Sequence, residues 1–385
     1  MALLDNAELR KQFPALLNLV YLDAAHQTPL CRSVLAGLNT FYETALNFAG
    51  PKTSWLERVE DVRAGLARIL GTTSDTIAFT KNTSEGLNIA AHGLQWEPGD
   101  NVILLEGEHP NNVYPWLAQR SAGLDVQLVP NDRAWADADT FAEHINTRTR
   151  AIALSHIMFH SGQRNDLASI IALAKRNNID VVVDVMQSVG ILPLDVAEMD
   201  AFAVASGTHK GLLTPQGLGF LSTSRDSVQL RPTYVAAASV ANLQPDLVAG
   251  PEPVELHANS HRFEIGNFNL AAIYGLGAAV TLIDRVGVHK IEQHVLELGD
   301  HLLAGVDQLG IKLVGPRERE HRSHIYVLGM TAPDWPAFLI AEGVRVSHVR
   351  DGIRVSFGLY NNPDDVDRFM YIVRRGLSTI GRGTA

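Results

Sequence analysis

The sequence predicts an α/β protein with a mostly parallel sheet flanked by helices and a smaller α+β lobe. Three observations support this prediction. Short β-branched runs alternate with helical patterns in the middle of the chain, and long helical stretches near its end lead into two further strand-like runs. The chain has 385 residues, of which 46% are hydrophobic and 19% charged, so it can bury a large core.

Six apolar runs in the middle of the chain are typical of strands. They span residues 101–107, 124–130, 150–156, 179–185, 200–206 and 218–224. Helix-like segments such as "DLASIIALAKRNN", at 166–178, lie between several of them. This alternation predicts parallel strands whose two faces are both covered by helices.

The C-terminal third has a different pattern of predicted helices and strands. It contains long helical patterns over 269–310, strand-like runs at 324–330 and 352–358, and a closing helical pattern over 363–380. We therefore expect a large domain over 21–263 and a small domain formed by 1–20 together with 264–385.

Composition and charge exclude several classes of partner. With 42 acidic and 32 basic residues the formal charge is −10, and there is no basic run, so we expect neither nucleic acid nor an anionic membrane as a partner. The single cysteine, Cys31, cannot form an internal disulfide, which suits a reducing compartment. The first twenty residues interleave charges with apolar positions, unlike a signal peptide, and no stretch is apolar enough to span a bilayer. We expect a cytoplasmic protein without a metal site.

Polar residues that follow the predicted strands are candidates for a binding site, because ligands of open α/β sheets bind beyond the carboxyl ends of the strands. Thr83 and Ser84 stand where a helix should begin, a position suited to phosphate, although an ordinary N-cap is the alternative. Asp184 ends an apolar strand, where a carboxylate needs a partner. That partner is either the protonated ring nitrogen of a cofactor or an ordinary salt bridge or cap.

Lys210 follows the next strand, within "SGTHKGLL" at 206–213. A lysine at a strand end can lose its proton through burial, and the free amine can then attack a carbonyl group. Most lysines are solvated surface groups, so Lys210 alone is weak evidence. Together with Asp184 and the hydroxyl-bearing helix start, it favours a covalently held cofactor.

Seven motifs in the chain resemble those of the class V aminotransferases. This fold-type I family of pyridoxal-phosphate enzymes includes cysteine desulfurases, selenocysteine lyases and isopenicillin N epimerase. The motifs are "YLDAAHQTPL" (21–30), "NTSEGLN" (82–88), "GEHPNNVYPW" (107–116), "DVMQSVG" (184–190), "SGTHKGLLTPQGLGFL" (206–221), "RFEIGNFN" (262–269) and "RVSFGLYN" (354–361). Their common order is more specific than any single motif, and the resemblance implies the fold-type I architecture with a seven-stranded sheet.

The resemblance implies roles for residues around the cofactor ring. Lys210 would hold pyridoxal 5'-phosphate covalently and later move the substrate's α-proton. Asp184 would keep the pyridine nitrogen protonated, so that the ring can accept electrons from the α-carbon. His109 would stack on the ring face, Gln187 would reach its phenolic oxygen, and Arg354 would clamp the substrate's α-carboxylate.

The resemblance also implies a phosphate site shared between two subunits, hence a homodimer. Its members would be Thr83, Ser84, Ser206 and His209 of one chain, with Gly266 and Asn267 of the other. A further set of polar residues is expected to face a small amino-acid substrate. These are His26, Gln27, His160, Arg345, His348 and Arg350.

The chain departs from its relatives at the loop before the arginine segment. Cysteine desulfurases need a nucleophilic cysteine there, whereas this loop, within "GVRVSHVRDGIRVSFG" at 343–358, is short and holds none. We therefore do not expect persulfide-forming desulfurase chemistry.

Two further departures lie close to the expected cofactor. The family often has an asparagine after "LSH" at 154–156, where Phe159 stands here and cannot donate a hydrogen bond, so that His160 compensates, contacts substrate or simply packs. The sequence "SGTHK" is one residue longer than the common serine, glycine, histidine, lysine order. It leaves both Ser206 and Thr208 as candidates for the phosphate.

These observations predict a pyridoxal-phosphate enzyme that acts at the α-carbon of a small amino acid, with aminotransferase-type chemistry. A β-lyase for a cysteine-like substrate and an amino-acid epimerase are the alternatives, because no motif separates the three outcomes. A non-catalytic ligand-binding relative is a further alternative. The joint presence of Lys210, Asp184, His109 and Arg354 argues against it, since a binding module needs no electron-accepting cofactor site.

Overall fold

The computed structural model describes residues 6–224, 230–244, 246, 248–251 and 253–380. The helices are α1 (Asn6–Arg10), α2 (Arg32–Phe48), α3 (Lys52–Leu70), α4 (Thr83–Gly93), α5 (Pro110–Leu117), α6 (Ala138–Ala142), α7 (Leu167–Arg176), α8 (Val196–Met199), α9 (Leu270–Val286), α10 (Val288–Gln308), α11 (Trp335–Ala341) and α12 (Pro363–Thr379). The strands are β1 (Val20–Tyr21), β2 (Ile77–Thr80), β3 (Asn101–Leu105), β4 (Asp125–Val129), β5 (Thr149–Ser155), β6 (Asp180–Asp184), β7 (Ala203–Gly207), β8 (Gly219–Thr223), β9 (Leu313–Val314), β10 (Ile325–Leu328), β11 (Val344–Arg345), β12 (Ser347–Val349) and β13 (Gly352–Ser356).

The large sheet has seven strands in the order β2-β8-β7-β6-β5-β3-β4. Neighbours from β7 to β4 are parallel, and β8 runs antiparallel to both β7 and β2. The predicted mostly parallel α/β sheet is therefore confirmed, and all six predicted strands are present in it. The sheet has the seven strands that the resemblance implies, although the position of the seventh strand, β2, was not predicted.

Helices cover both faces of this sheet, which explains why its strands are apolar at successive positions. In β6, Val181 and Val183 pack into one hydrophobic core and Val182 packs into another. The first core includes residues of α2, α3, α7 and α9, whereas the second includes the buried side of α4. A strand buried on both faces needs hydrophobic residues at consecutive positions rather than at alternate ones.

A second sheet has four antiparallel strands in the order β12-β13-β10-β9. The two predicted C-terminal strands are β10 and β13, and the predicted closing helix is α12. The N-terminal segment reaches this region because β1 pairs with β11 in parallel. Helix α9 packs against α2 and α3. The division into domains at residues 263 and 264 stays a prediction.

We also compared the helices with the length and hydropathy of a membrane span. Taken singly, no helix in the described ranges is long and apolar enough to cross a membrane. Helices α9 and α10 meet this test of length and composition only as a pair, and they are bent by 75° relative to each other.

The topology brings the ends of several strands to one edge of the large sheet. Ser155 at the end of β5 pairs with Asp184 at the end of β6, and the next strand along the sheet, β7, ends at Gly207. The small sheet reaches the N-terminal segment through a bridge between Asp23 and Ser356. Residues distant in sequence thus meet at the edge where ligands of such sheets bind.

Candidate active site

Lys210 lies just beyond β7, and its side-chain amine is mostly buried at this edge of the sheet. The Nζ atom makes no hydrogen bond within the described part of the chain, whereas the backbone carbonyl of Lys210 accepts one from Thr28 Oγ1 at 2.6 Å. Burial lowers the pKa of Lys210 to about 8; the carboxylates of Asp184 and Asp23 oppose this shift and Arg354 adds to it. Its neighbours therefore include charges of both signs.

Asp184 ends β6 and is buried beside Lys210. Its Oδ1 accepts a hydrogen bond from the backbone N–H of Met186 at 2.8 Å. Burial raises the pKa of Asp184 to about 6, although the Met186 N–H and the charge of Lys210 both lower it. The carboxylate is therefore mostly ionised at neutral pH, and a cation beside it would stabilise that form further.

His109 is the N-cap of α5, and its Nδ1 accepts a hydrogen bond from the backbone N–H of Asn111 at 3.1 Å. The ring meets Phe159 edge-on, with 5.0 Å between centroids. Burial lowers the pKa of His109, and the charges of Lys210 and Arg354 lower it further. The imidazole is therefore neutral near pH 7.

Glu108, next to His109, ties this turn to the sheet. It accepts hydrogen bonds from the backbone N–H of Ser155 at 2.6 Å, from Ser155 Oγ at 2.6 Å and from Asn112 Nδ2 at 3.1 Å. Burial raises the pKa of Glu108 to about 7; its bonds with Ser155 and Asn112 lower it, and the charge of Asp184 raises it. Through its bonds to Ser155, Glu108 thus holds the neighbouring His109 in position against the sheet.

Helix α4 begins at Thr83 as predicted, but its cap is Asn82, whose Oδ1 accepts from the backbone N–H of Glu85 at 3.0 Å. Thr83 is buried, and its hydroxyl points to Met186 Sδ at 3.2 Å. The hydroxyl of Ser84 is half-buried and has no hydrogen-bond partner among the described residues. Ser84 is therefore the more open hydroxyl at this helix start.

The helix also lies very close to the sheet. A Cβ atom added at Gly86 would come within 3.0 Å of the Cβ of Ala205 in β7. A larger residue would crowd Ala205, so the glycine favours this close approach of α4 to β7.

The segment from 206 to 209 carries the three remaining phosphate candidates. Thr208 is fully buried, its hydroxyl donates to Leu218 O at 3.0 Å, and it accepts from Thr214 Oγ1 at 2.6 Å. Ser206 Oγ donates to Gly207 O at 2.8 Å. His209 is half-buried; burial lowers its pKa to about 4, and the charges of Lys210 and His26 add to this shift.

Two further predicted residues have buried atoms without a partner in the described ranges. Gln187 donates from Nε2 to Ala25 O at 3.0 Å, and its Oε1 is unpaired. Arg354, on β13, donates from Nη1 to Phe159 O and from Nη2 to Ser347 Oγ, both at 3.1 Å, and its Nε is unpaired. Such atoms fit a site that binds a polar ligand.

The other residues predicted to face the substrate are exposed or half-buried. His26, Arg345 and His348 are exposed, and the side chain of Arg350 is 83% exposed and pairs with Asp351. Gln27 is half-buried: its Nε2 donates to Thr28 O at 3.3 Å, and its backbone carbonyl accepts from Tyr21 OH.

His160 stacks edge-on against Phe159 at 5.4 Å, and both of its ring nitrogens lack partners in the described chain. Gly266 and Asn267 line a separate cavity of about 300 Å³ together with Lys81 and Glu85. Their predicted contact with the phosphate of a second subunit stays a prediction.

Comparison with known proteins identifies the family. The family model described as aminotransferase class-V matches residues 20–369. The chain belongs to the aminotransferase class-V family. Members of this family are pyridoxal-phosphate-dependent enzymes, so the recognition of this enzyme class from seven motifs is confirmed.

Relatives within the class-V family carry different names. An uncharacterized aminotransferase of Schizosaccharomyces pombe is 38% identical over 377 residues, covering 96% of this chain and 95% of that protein. A probable cysteine desulfurase of Methanothermobacter thermautotrophicus is 31% identical over 323 residues, covering 82% of this chain and 79% of that protein.

Two solved structures of the protein C-DES share the fold, each at 25% identity and covering 94% of this chain and 98% of that one. One is a mutant with glycine covalently linked to the pyridoxal-phosphate cofactor, with a TM-score of 0.87. The other is the cystine C–S lyase in complex with its reaction product, cysteine persulfide, with a TM-score of 0.85.

Three polar residues of the site were not predicted from the sequence: the buried Asp23 and Glu108, and the half-buried Ser347. Asp23 and Glu108 lie inside motifs that were recognised, and a carboxylate in an apolar context was the available signal. Ser347 gave no such signal, because a serine near a turn is usually solvated.

Proposed function

We propose that this chain binds pyridoxal 5'-phosphate through a covalent link to Lys210 and acts at the α-carbon of a small amino acid. The observation that carries the proposal is the environment of the lysine. Its amine is mostly buried, makes no hydrogen bond within the described chain, and is influenced by the charges of both Asp184 and Arg354. A lysine with a depressed pKa is suited to attack an aldehyde.

The residues around Lys210 fit the cofactor. Asp184 would pair with the ring nitrogen, and the neutral His109 would pack on the flat face of the ring. Gln187 has a second Nε2–H available for the phenolic oxygen, besides the one donated to Ala25.

The phosphate would bind at the start of α4, where free backbone N–H groups and the Ser84 hydroxyl are available, together with His209. Thr83 and Ser206 lie close to the same place. Thr208 is not part of the proposal, because both of its hydroxyl interactions are internal.

When bound, the cofactor supplies a ring that accepts the electrons left at the substrate's α-carbon. Arg354 would bind the α-carboxylate through N–H groups that Phe159 and Ser347 do not use. The Nζ of Lys210 would accept the α-proton, because a pKa of about 8 leaves part of the amine unprotonated at neutral pH. Asp184 would remain ionised above about pH 6.

We propose aminotransferase-type chemistry as the reaction class, supported by the name of the fungal relative. The second candidate is a β-lyase that acts on a cysteine-like substrate, and the similarity to C-DES, described as a cystine C–S lyase, favours it. Neither candidate needs a cysteine nucleophile, and the segment 343–358 contains none.

The assembly and location are part of the same proposal. We propose a homodimer whose phosphate sites are completed by Gly266 and Asn267 of the other subunit, working in the cytoplasm on a small amino acid. Neither a nucleic acid nor a membrane is required as a partner.

An absorption spectrum tests the proposal. Protein incubated with pyridoxal 5'-phosphate and desalted should retain visible absorption, and Lys210→Ala should lose it because the covalent link cannot form. Lys175→Ala is the matched control, since Lys175 is exposed and pairs with Asp200. A wild-type spectrum without visible absorption, or a Lys210→Ala protein indistinguishable from the control, would contradict the proposal.

A parallel product screen then separates the two reactions. Keto acid, ammonia, sulfide and loss of optical activity should be followed with a panel of amino acids, with and without an acceptor keto acid. Keto acid formed only in the presence of an acceptor identifies an aminotransferase. Pyruvate and ammonia formed without an acceptor identify a β-lyase.

A further inference from the structure

The guanidinium of Arg354 is held by a short chain of polar contacts that reaches the N-terminal segment. Its Nη2 donates to Ser347 Oγ at 3.1 Å, and Ser347 Oγ donates to Asp23 Oδ1 at 2.7 Å. The distance from Nη2 to Asp23 Oδ1 is 3.5 Å, longer than a hydrogen bond. The serine hydroxyl therefore lies between two opposite charges.

The fold assembles these three residues from distant parts of the chain. Ser347 on β12 and Arg354 on β13 are directly paired in register, so their side chains leave the sheet on the same face. Asp23 arrives from the N-terminal segment through its bridge with Ser356. Both charged side chains are almost fully buried, at 7% exposure for Arg354 and 5% for Asp23, so water cannot easily replace a lost contact.

The chemistry of these groups determines which atoms donate and which accept in the contacts between Arg354, Ser347 and Asp23. An ionised carboxylate only accepts, so the single hydrogen of the Ser347 hydroxyl points to Asp23 and its lone pairs face Arg354. Phe159 O fixes the other end of the guanidinium through Nη1, and the buried Nε has no partner in the described ranges. Two contacts thus orient the group and leave other N–H donors for a ligand.

We propose that Asp23 and Ser347 are positioning residues that orient Arg354 for the α-carboxylate of the substrate. The proposal rests on the role of Arg354 in the proposed function. The hydroxyl acts as an oriented acceptor and as a spacer between the charges. Without it, the 3.5 Å ion pair between Arg354 and Asp23 can shorten into a direct hydrogen bond and turn the donors of Arg354 away from the substrate.

We call the chain of contacts from Asp23 through Ser347 to Arg354 the relay. Spectral titration of the holoprotein tests it. L-Alanine carries the α-carboxylate and ethylamine is the same amine without it, so the ratio of their dissociation constants isolates the carboxylate contact. Ser347→Ala should weaken L-alanine binding by roughly tenfold, the effect of losing one hydrogen bond to a charged group, and leave ethylamine binding unchanged. Ser347→Thr keeps the hydroxyl and should restore binding. Ser378→Ala is the matched control, because Ser378 is an exposed serine of α12 whose hydroxyl donates only to Arg375 O.

A second variant tests Asp23 itself. Asp23→Ala removes the acceptor of the Ser347 hydroxyl and should weaken L-alanine binding in the same way. The double variant with Ser347→Ala should be no weaker than the weaker single variant, because both changes break one relay. Circular dichroism of each variant establishes that it is folded.

The outcomes separate this proposal from the one on which it rests. Wild-type protein without visible absorption overturns both. A wild-type holoprotein that binds L-alanine no more tightly than ethylamine overturns the assignment of Arg354, and the relay with it. Visible absorption with equal losses for L-alanine and ethylamine, or with no loss in Ser347→Ala, overturns the relay alone.

Discussion

At the scale of single residues, the chemistry proposed for this site depends on the pKa of one amine. Lys210 has an ordinary pKa of 10.5 that burial lowers to about 8, although two carboxylates favour the charged form. At pH 7 the free amine rises from about one molecule in 3,000 to about a tenth. Burial therefore changes the pKa of Lys210 more than the charges of its neighbours do.

Capture of pyridoxal 5'-phosphate by the apoprotein should follow this titration. The rate, measured from the growth of visible absorption, should rise with pH and level off above about pH 8, because only the unprotonated amine attacks the aldehyde. Asp184→Asn removes a charge that raises the pKa of Lys210, so the midpoint should move to lower pH. Arg354→Gln should move it to higher pH.

Two results for the pH midpoint of cofactor capture would contradict this description of Lys210. A midpoint near 10, typical of a solvated lysine, would contradict the environment described for Lys210. Shifts of the same sign in the Asp184 and Arg354 variants would do so as well.

The site residues proposed from sequence pattern share one property, which is their place in that local pattern, whereas the roles of His109, Gln187 and Arg354 came only from the resemblance. Lys210 and Asp184 are polar groups directly after apolar strands, so their sequence neighbours reveal them. The pair of Asp23 and Ser347 spans 324 positions, and no local pattern reports a contact of that kind. Single-sequence reasoning therefore finds residues at strand ends and misses those that support them from another element.

At the scale of elements, a buried ion pair connects α3 with the segment before α9. Arg63 donates from Nη1 to Glu264 Oε1 at 2.6 Å and to Ile77 O at 2.8 Å. Glu264 Oε1 also accepts from the backbone N–H of Phe79 at 2.8 Å. These contacts fix the start of the loop that carries Gly266 and Asn267.

Glu264→Ala should destabilise the protein strongly, by roughly 3–5 kcal/mol, because it removes the buried carboxylate that pairs with a buried guanidinium. Glu60→Ala is the matched control, since Glu60 binds the same Arg63 with a side chain that is 55% exposed, and its loss should cost under about 1 kcal/mol. Urea unfolding followed by circular dichroism measures both. Equal losses in the two variants would contradict the role given to the buried pair.

The strands that the sequence did not predict are short. The five-residue runs of β3, β6 and β7 are continuous apolar segments because both faces of the sheet are covered. Strands β2, β9 and β11 have four, two and two residues, too few for a periodic pattern. Their pairing is decided by contacts with β8, β10 and β1 rather than by local preference.

At the scale of the whole molecule, one face of α2 remains apolar and exposed. Leu35, Tyr42 and Leu46 lie seven and four residues apart, on one side of the helix, and are 45%, 58% and 82% exposed. The opposite side packs against α9. An apolar stripe of this kind is typical of a protein interface, and the proposed homodimer supplies a second copy to cover it.

Leu46→Glu should weaken that dimer, because it places a charge in an interface that excludes water. Sedimentation at several protein concentrations should show the variant dissociating at concentrations where the wild type is dimeric. Its visible absorption after desalting should fall in parallel, since Gly266 and Asn267 would no longer reach the phosphate site of the other subunit. Leu17→Glu is the control, because Leu17 is 86% exposed but lies outside the stripe. A monomeric variant that keeps its cofactor would show that each chain binds it alone, and a variant that stays dimeric would place the interface on another face.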